Sequence, residues 1–248
     1  MKAMSHLDRP ELPLRLAIIT YDYAHLKTEQ LVHRLLLKNR LEIGRKLDMI
    51  LLALPFSSRA SRSVLLPHRP DQDKSVSTRD LAARHRLEFL PCTYDCIPDV
   101  ADFYLIAGAG ILSAKAIGKK KIINVHPGIV PSARGLDAFK WSILDGIPLG
   151  VTLHYIDAEV DAGETIAIVE TPIFLSDTLN VLARRHYELE LDVASEFLNF
   201  LNGNAEGNYV AYPESPSRMR MPIGTERDMI ARFDEYKRRL SARAGPSS

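Results

Sequence analysis

Two apolar runs with an amphipathic stretch between them constrain this chain more than any other feature. LRLAIIT, Leu14–Thr20, and DMILLAL, Asp48–Leu54, read as buried strands. Between them, Lys27–Asn39 repeats apolar residues at Leu31, Val32, Leu35 and Leu36, which is helical spacing. Strand, helix and strand in that order predict a parallel sheet.

The pattern continues downstream. Phe103–Ala107, Lys121–His126, Gly150–Asp157 and Glu164–Pro172 read as further strands. Ser77–Arg86, with Ser77 as N-cap, and Leu136–Leu144 read as helices. A long helix is expected over Asp177–Asn202, where Leu179, Leu182, His186, Leu189, Val193, Phe197 and Phe200 form one apolar stripe. His186 lies on that stripe, which marks it as a core or boundary histidine rather than a catalytic one. A last helix is expected over Glu226–Arg243, inside a basic tail of eight Arg or Lys against four Asp or Glu between Arg218 and Arg243. The expected fold is α/β, a Rossmann-like, mostly parallel sheet flanked by helices. Residues 1–203 form the main domain, and 204–248 a short C-terminal extension serving assembly or substrate contact.

Composition closes off several classes. The 248 residues are 46% hydrophobic and 25% charged, as in globular proteins and not in disordered ones. A net charge of +1 argues against a nucleic-acid binder held by bulk charge. No apolar run approaches the ~20 residues needed to cross a bilayer. The opening MKAMSHLDRPELP lacks an apolar signal core, so a cytoplasmic protein is expected. Cys92 and Cys96 are the only cysteines and have no histidine cluster near them, so neither a structural metal nor a disulfide scaffold is expected. Residues 55–76 carry turn formers with Arg59, Arg62 and Arg69. They read as a solvated loop, with phosphate contact as the functional alternative.

The chemistry concentrates in NVHPGIVPSARGLDAFKWSILDGIPLGVTLHYIDAEVDAGE, Asn124–Glu164. Asn124 and His126 share a strand face, and Pro127 ends the strand, which puts both at its carboxyl rim. Ligands bind at that rim in open α/β sheets. A second polar end appears at Asp157–Asp161 after the next strand. Amide, imidazole and carboxylate together suit acyl chemistry, with the amide as an oxyanion donor. No serine or cysteine sits in a G-x-S-x-G turn, so the nucleophile comes from a substrate.

NVHPGIVPSARG resembles the N-x-H-P-S-L-L-P-x-x-x-G motif of the folate-dependent formyltransferases. EVDAGE, behind the strand GVTLH, resembles that family's second, acidic motif. The resemblance spans about residues 14–200 in element order and is most specific over 104–166. It implies that a formyl group passes from N10-formyltetrahydrofolate, the co-substrate, to an amine, without a metal. Asn124, His126 and Asp161 match the family's catalytic trio. Asn124 and His126 would stabilise the tetrahedral oxyanion; Asp161 would keep the imidazolium charged and help relay the amine proton. IAGAGILS, Ile106–Ser113, resembles the loop that embraces the pterin. Ile111 and Leu112 would flank the ring, Gly108 and Gly110 would let the main chain approach it, and Ile156 and Asp157 would begin its other wall. His154 matches a family histidine near the site and is given a structural role. The sequence departs from the motif at Gly128, where the family has serine, and at Ile129-Val130, where it has two leucines.

The resemblance also narrows the amine. Glycinamide ribonucleotide enzymes carry a Gly-Ser-rich phosphate loop after their first strand; here that place reads TYDYAHLKTEQ. Methionyl-tRNA enzymes append a sizeable β domain, and the 45 residues after Gly203 do not read as one. The nucleotide-sugar branch remains, acting in surface-polysaccharide (O-antigen) synthesis. The expected partner is a GDP- or dTDP-linked 4-amino-4,6-dideoxyhexose such as GDP-perosamine, with no nucleic acid and no membrane insertion, and with homodimerisation left open. Tyr21, Tyr23 and His25 suit a sugar face, and Lys140 and Trp141 a sugar or its diphosphate. The alternatives are another small amine, a formyltetrahydrofolate hydrolase, or a non-catalytic folate binder. A dinucleotide dehydrogenase is disfavoured, because no G-x-G-x-x-G follows the first strand.

Overall fold

Alternate residues of the first strand serve two different cores. In the computed structural model, which describes residues 13–41, 46–56, 63–157, 163–207 and 213–241, strand β1 spans Leu14–Tyr21. Leu16 and Ile18 pack into one buried cluster, and Ala17 and Ile19 into another. That is the period-2 signature of a strand covered on both faces. Helix α1 (Leu26–Leu41) returns the chain to β2 (Leu47–Leu54), which pairs in parallel with β1 along its whole length.

Helix α2 (Thr78–His85) is capped by Ser77, whose hydroxyl accepts from the Asp80 amide, and leads into β3 (Glu88–Pro91). β4 (Phe103–Ile106), the short α3 (Ala114–Ile117) and β5 (Ile122–His126) follow. The remaining elements are α4 (Ala138–Asp145), β6 (Gly150–Tyr155), β7 (Thr165–Glu170), α5 (Leu179–Ser195), α6 (Phe197–Leu201) and α7 (Ile223–Ser241). The seven strands lie in the order β3-β2-β1-β4-β5-β6-β7. Pairing is parallel from β3 to β5 and antiparallel from β5 through β7. The strand order reverses between β1 and β4, where open α/β sheets form their ligand crevice.

One face of the sheet packs Leu51, Leu105, Ile123 and Val125 against α1 and α5. The other packs Ile50, Leu52 and Ile122 against α3. A third cluster lies beyond the sheet, where Phe139 and Ile143 of α4 meet Met229, Phe233 and Tyr236 of α7. The C-terminal helix is thus packed into the molecule, with Arg227, Arg232, Arg238 and Arg239 exposed and Lys237 turned in to the Asp177 carbonyl.

Two elements differ from expectation. β3 was not foreseen, because four residues ending in Pro91 are too short to show alternation; proline is tolerated there because β3 is an edge strand. The long C-terminal stripe divides into α5 and α6 at Glu196. Phe197, Phe200 and Leu201 continue into the same cluster as α5, so periodicity does not reveal the break.

Candidate active site

Alternation along β5 puts Asn124 and His126 on the same face as Ile122, the α3 face. Asn124 is half-buried and sits opposite His154 of β6. The His154 Nδ1–H donates to the Tyr155 carbonyl at 3.0 Å, so its Nε2 accepts from the Asn124 amide nitrogen at 3.2 Å. This relay fixes which end of the carboxamide is the donor and leaves a second N–H on the same nitrogen.

His126, 3% exposed, closes the strand. Its Nε2–H donates to the Ala133 carbonyl at 2.7 Å. The loop after it is tied down by Thr152, which donates to the Gly128 carbonyl at 2.7 Å and accepts from the Val130 amide at 3.0 Å. The departure at Gly128 has a steric reason. A Cβ there would lie 2.3 Å from the Ala133 oxygen and 2.8 Å from His126 Nε2. Gly128→Ala is therefore expected to detach Ala133 from His126 and to destabilise the protein by about 1–3 kcal/mol. Urea unfolding reads the stability, and imidazole ¹⁵N shifts read the lost hydrogen bond. Unchanged shifts would count against the assignment. The C-terminal segment holds the far side of this loop: Ser215 donates to the Pro131 carbonyl at 3.1 Å, and Leu136 to the Arg218 carbonyl at 2.8 Å.

His186 is buried, as its place on the α5 stripe implied. Its Nε2–H donates to the Pro127 carbonyl at 3.3 Å, and its Nδ1 accepts from the Thr171 hydroxyl at 2.7 Å. Burial is the main cause that pushes its pKa down to about 4, with Glu190 opposing and Arg69 assisting. The ordinary value, which the unfolded chain keeps, is 6.5. Between these values the unfolded chain takes up a proton that the folded one refuses, so stability falls as pH drops from about 6.5 towards 4. His186→Gln removes one such uptake, and its urea midpoint is expected to fall less between pH 7 and pH 4.5 than that of the unmodified protein. Parallel midpoints would overturn this.

Tyr21, His25 and Gly108 meet at the switch point. The Tyr21 and His25 rings stand edge to face, with centroids 5.4 Å apart. A Cβ on Gly108 would strike His25 at 2.7 Å and Tyr21 at 2.8 Å, and one on Gly110 would approach Tyr94 to 3.1 Å. The bare sides of both glycines thus face the protein's own rings. Leu112 is buried in the α3-side cluster, against which Ile106, Ala109 and Ile156 pack. Of the residues expected to wall a folate slot, Leu112 is thus turned inwards, while Ile111 is 77% exposed.

Because β6 runs antiparallel to β5, its carboxyl end lies beside Ile122, whose carbonyl accepts from the Ile156 amide at 2.9 Å. The chain therefore leaves at Asp157 from the end of β5 opposite His126, which corrects the expectation of one shared rim. Asp161, the expected carboxylate of the trio, lies outside the described residues, as do Arg59 and Arg62.

Tyr23 is 45% exposed and stacks on Phe56 at 4.8 Å, an aromatic surface open to solvent at the rim. Lys140 is 1% exposed and paired with Glu226, which is a correction: it joins α4 to α7 and does not face a ligand. Trp141 donates to the Met219 carbonyl at 2.8 Å beneath Arg218, so it too holds the C-terminal segment.

Sequence reasoning missed Phe56, Tyr94, Glu190 and Gln72, none of which lies in a motif. A cavity of about 600 Å³ opens beside β7, lined by Val130, Pro131, Arg134, Ile168 and Glu214 among others, and none of the expected site residues that are described lines it. Among the described residues no group of three His, Cys, Asp or Glu is placed to hold a metal ion, and no helix is long and apolar enough to cross a membrane.

Residues 98–198, which hold Asn124, His126 and His154, match the model of the family described as Formyl transferase. Over 98 residues the chain is 34% identical to the dTDP-4-amino-4,6-dideoxyglucose formyltransferase of Mycobacterium tuberculosis, covering 40% of this chain and 41% of that protein. Over 71 residues it is 38% identical to the phosphoribosylglycinamide formyltransferase of Bacillus subtilis, covering 28% and 36%. The matches thus span less than half the length of these curated relatives. In fold it is similar to a sugar N-formyltransferase from a Shewanella species, with a TM-score of 0.58 at 16% identity over 89% of this chain and 87% of that one.

Proposed function

We propose that this chain, which carries a formyl transferase domain over residues 98–198, transfers a formyl group from N10-formyltetrahydrofolate to the amine of a nucleotide-linked amino sugar. The observation that carries this reading is the Asn124 carboxamide, held by His154 on the sheet face it shares with His126. When bound, the folate supplies an activated formyl carbon. Attack by a neutral amine builds negative charge on the formyl oxygen, and the second N–H of Asn124 is oriented before that charge appears. A preorganised donor of this kind is worth about 3 kcal/mol in the transition state. His126, held by the Ala133 carbonyl against the bare side of Gly128, is read as the second group that meets the developing charge.

The sugar branch is favoured over glycinamide ribonucleotide by the state of the α1 amino end. A phosphate there would need free amides, but the Leu26 amide donates to the Gln72 carbonyl at 2.8 Å and the Lys27 amide to Gln72 Oε1 at 3.0 Å. The open Tyr23–Phe56 surface suits a sugar or a base. The test is incubation with formyltetrahydrofolate and a panel of amines. Amine-dependent loss of the formyl group with a sugar nucleotide supports transfer. Amine-independent loss means a hydrolase, and no loss means a folate binder.

A further inference from the structure

Three charged side chains meet where α1, α5 and the 63–76 segment come together. The Glu190 carboxylate is 1% exposed, and its oxygens are divided: Oε1 takes the Lys27 ammonium at 2.6 Å and Oε2 takes the Arg69 guanidinium at 2.6 Å. The Lys27 side chain is 8% exposed and that of Arg69 31%. Two cations share one carboxylate, so the group holds one unit of positive charge in excess. Such a charge is costly away from water unless an anion completes it. Lys27 registers the cost: burial carries its pKa below the ordinary value despite the pull of Glu190, and Arg69 lowers it further. The neighbouring imidazoles supply no anion. His25, His68 and His186 are pushed down to about 4, 3 and 4, in each case chiefly by burial, and so stay neutral.

The group also has reach and position. A guanidinium carries five N–H donors, and the bond to Glu190 uses one of them. The segment that bears Arg69 is pinned on both sides: His68 stacks on Phe139 at 5.6 Å, and Gln72 occupies the first amides of α1. On α5, one turn before Glu190, His186 donates to the Pro127 carbonyl, next to His126. The charge excess therefore stands beside the reaction centre, and the competing helix terminus is already filled.

We propose that Arg69 and Lys27 form an anion subsite for the phosphoryl group of the substrate, with Glu190 holding the two cations in place. This rests on the reading of the substrate as a nucleotide-linked amine. The probe is inorganic pyrophosphate, titrated calorimetrically into the full chain at low ionic strength, with glutarate as a dicarboxylate comparator. Pyrophosphate is expected to bind, and Arg69→Met to weaken it at least ~10-fold with an unchanged far-ultraviolet spectrum. Glu190→Gln raises the excess from one charge to two, so it should bind pyrophosphate more tightly, a sign that damaged packing would not give. Should that variant fail to fold, Lys27→Met, which neutralises the group, must weaken binding. Equal affinity in Arg69→Met, or glutarate binding as tight as pyrophosphate, overturns the subsite. The two readings fail separately. Arg69-dependent pyrophosphate binding without formyl transfer leaves the subsite standing and sinks the transfer reading. Transfer with an unchanged KM for the sugar nucleotide in Arg69→Met sinks the subsite alone.

Discussion

Asn124→Ala is expected to lower turnover at least ~100-fold, because in the proposed reaction it deletes the preorganised donor for the developing oxyanion. The carboxamide is aimed by His154 before any substrate arrives, so its contribution belongs to the transition state and not to binding. kcat and kcat/KM should therefore fall together while the KM for folate stays close to that of the parent. The fold should tolerate the change: the residue is half-buried, and the lost hydrogen bond to His154 costs about 1 kcal/mol. His126→Ala is expected to reduce turnover by a similar factor. Steady-state kinetics at saturating amine decide the matter. Near-normal kcat in either variant would remove that residue from the chemistry.

Glu226→Ala should be strongly destabilising, by about 3–5 kcal/mol, because it leaves a buried cation unpaired. The Glu226 side chain is 0% exposed and that of its partner Lys140 1%. The Glu226 carboxylate also accepts from the Leu65 amide at 2.6 Å, so one side chain joins α4, α7 and the 63–76 segment. Its pKa is held below the ordinary value although burial pulls the other way, with the hydrogen bond from Lys140 as the strongest opposing cause. The double variant Lys140→Met/Glu226→Leu should recover most of the loss, since an apolar pair of similar volume replaces a desolvated ion pair. Urea denaturation of the two variants is the measurement. A loss below about 1 kcal/mol in the single variant would mean that Lys140 finds water or another carboxylate.

Much of the sheet was legible because its strands are buried on both faces and therefore apolar along their length. Leu16 through Ile19 need no partner to be recognised as core. Ser77 announced α2 through a capping preference that acts within three residues. The direction of β6 was not legible. Strand periodicity is the same in either orientation, so Asp157 was placed on the wrong rim relative to His126. In the candidate site, Asn124 and His126 were readable from alternation and Pro127, and His154 from its family match. Lys140 was misread because a lysine on a short helix carries no sign that Glu226 will bury it. Glu190 and Gln72 were invisible for the same reason: Lys27, Arg69 and the α1 amides reach them only through tertiary contact.

The Lys140–Glu226 pair joins residues 86 positions apart, which has a consequence for synthesis. At ribosomal speeds of about 5–20 residues per second, α4 precedes its partner helix by on the order of ten seconds. During that interval Phe139 and Ile143 have no α7 to cover them, and the Lys140 ammonium has no counter-ion. The loop that holds His126 likewise waits for Ser215 and Arg218 before its far side is secured. A nascent chain halted before α7 should therefore hold a formed β1–β5 sheet beside an open, apolar flank, the kind of surface that holdase chaperones bind. Completion of the candidate site is set by the arrival of the C-terminal segment, and shortening the wait with faster codons between α4 and α7, or covering the flank with added chaperone, should raise the soluble yield.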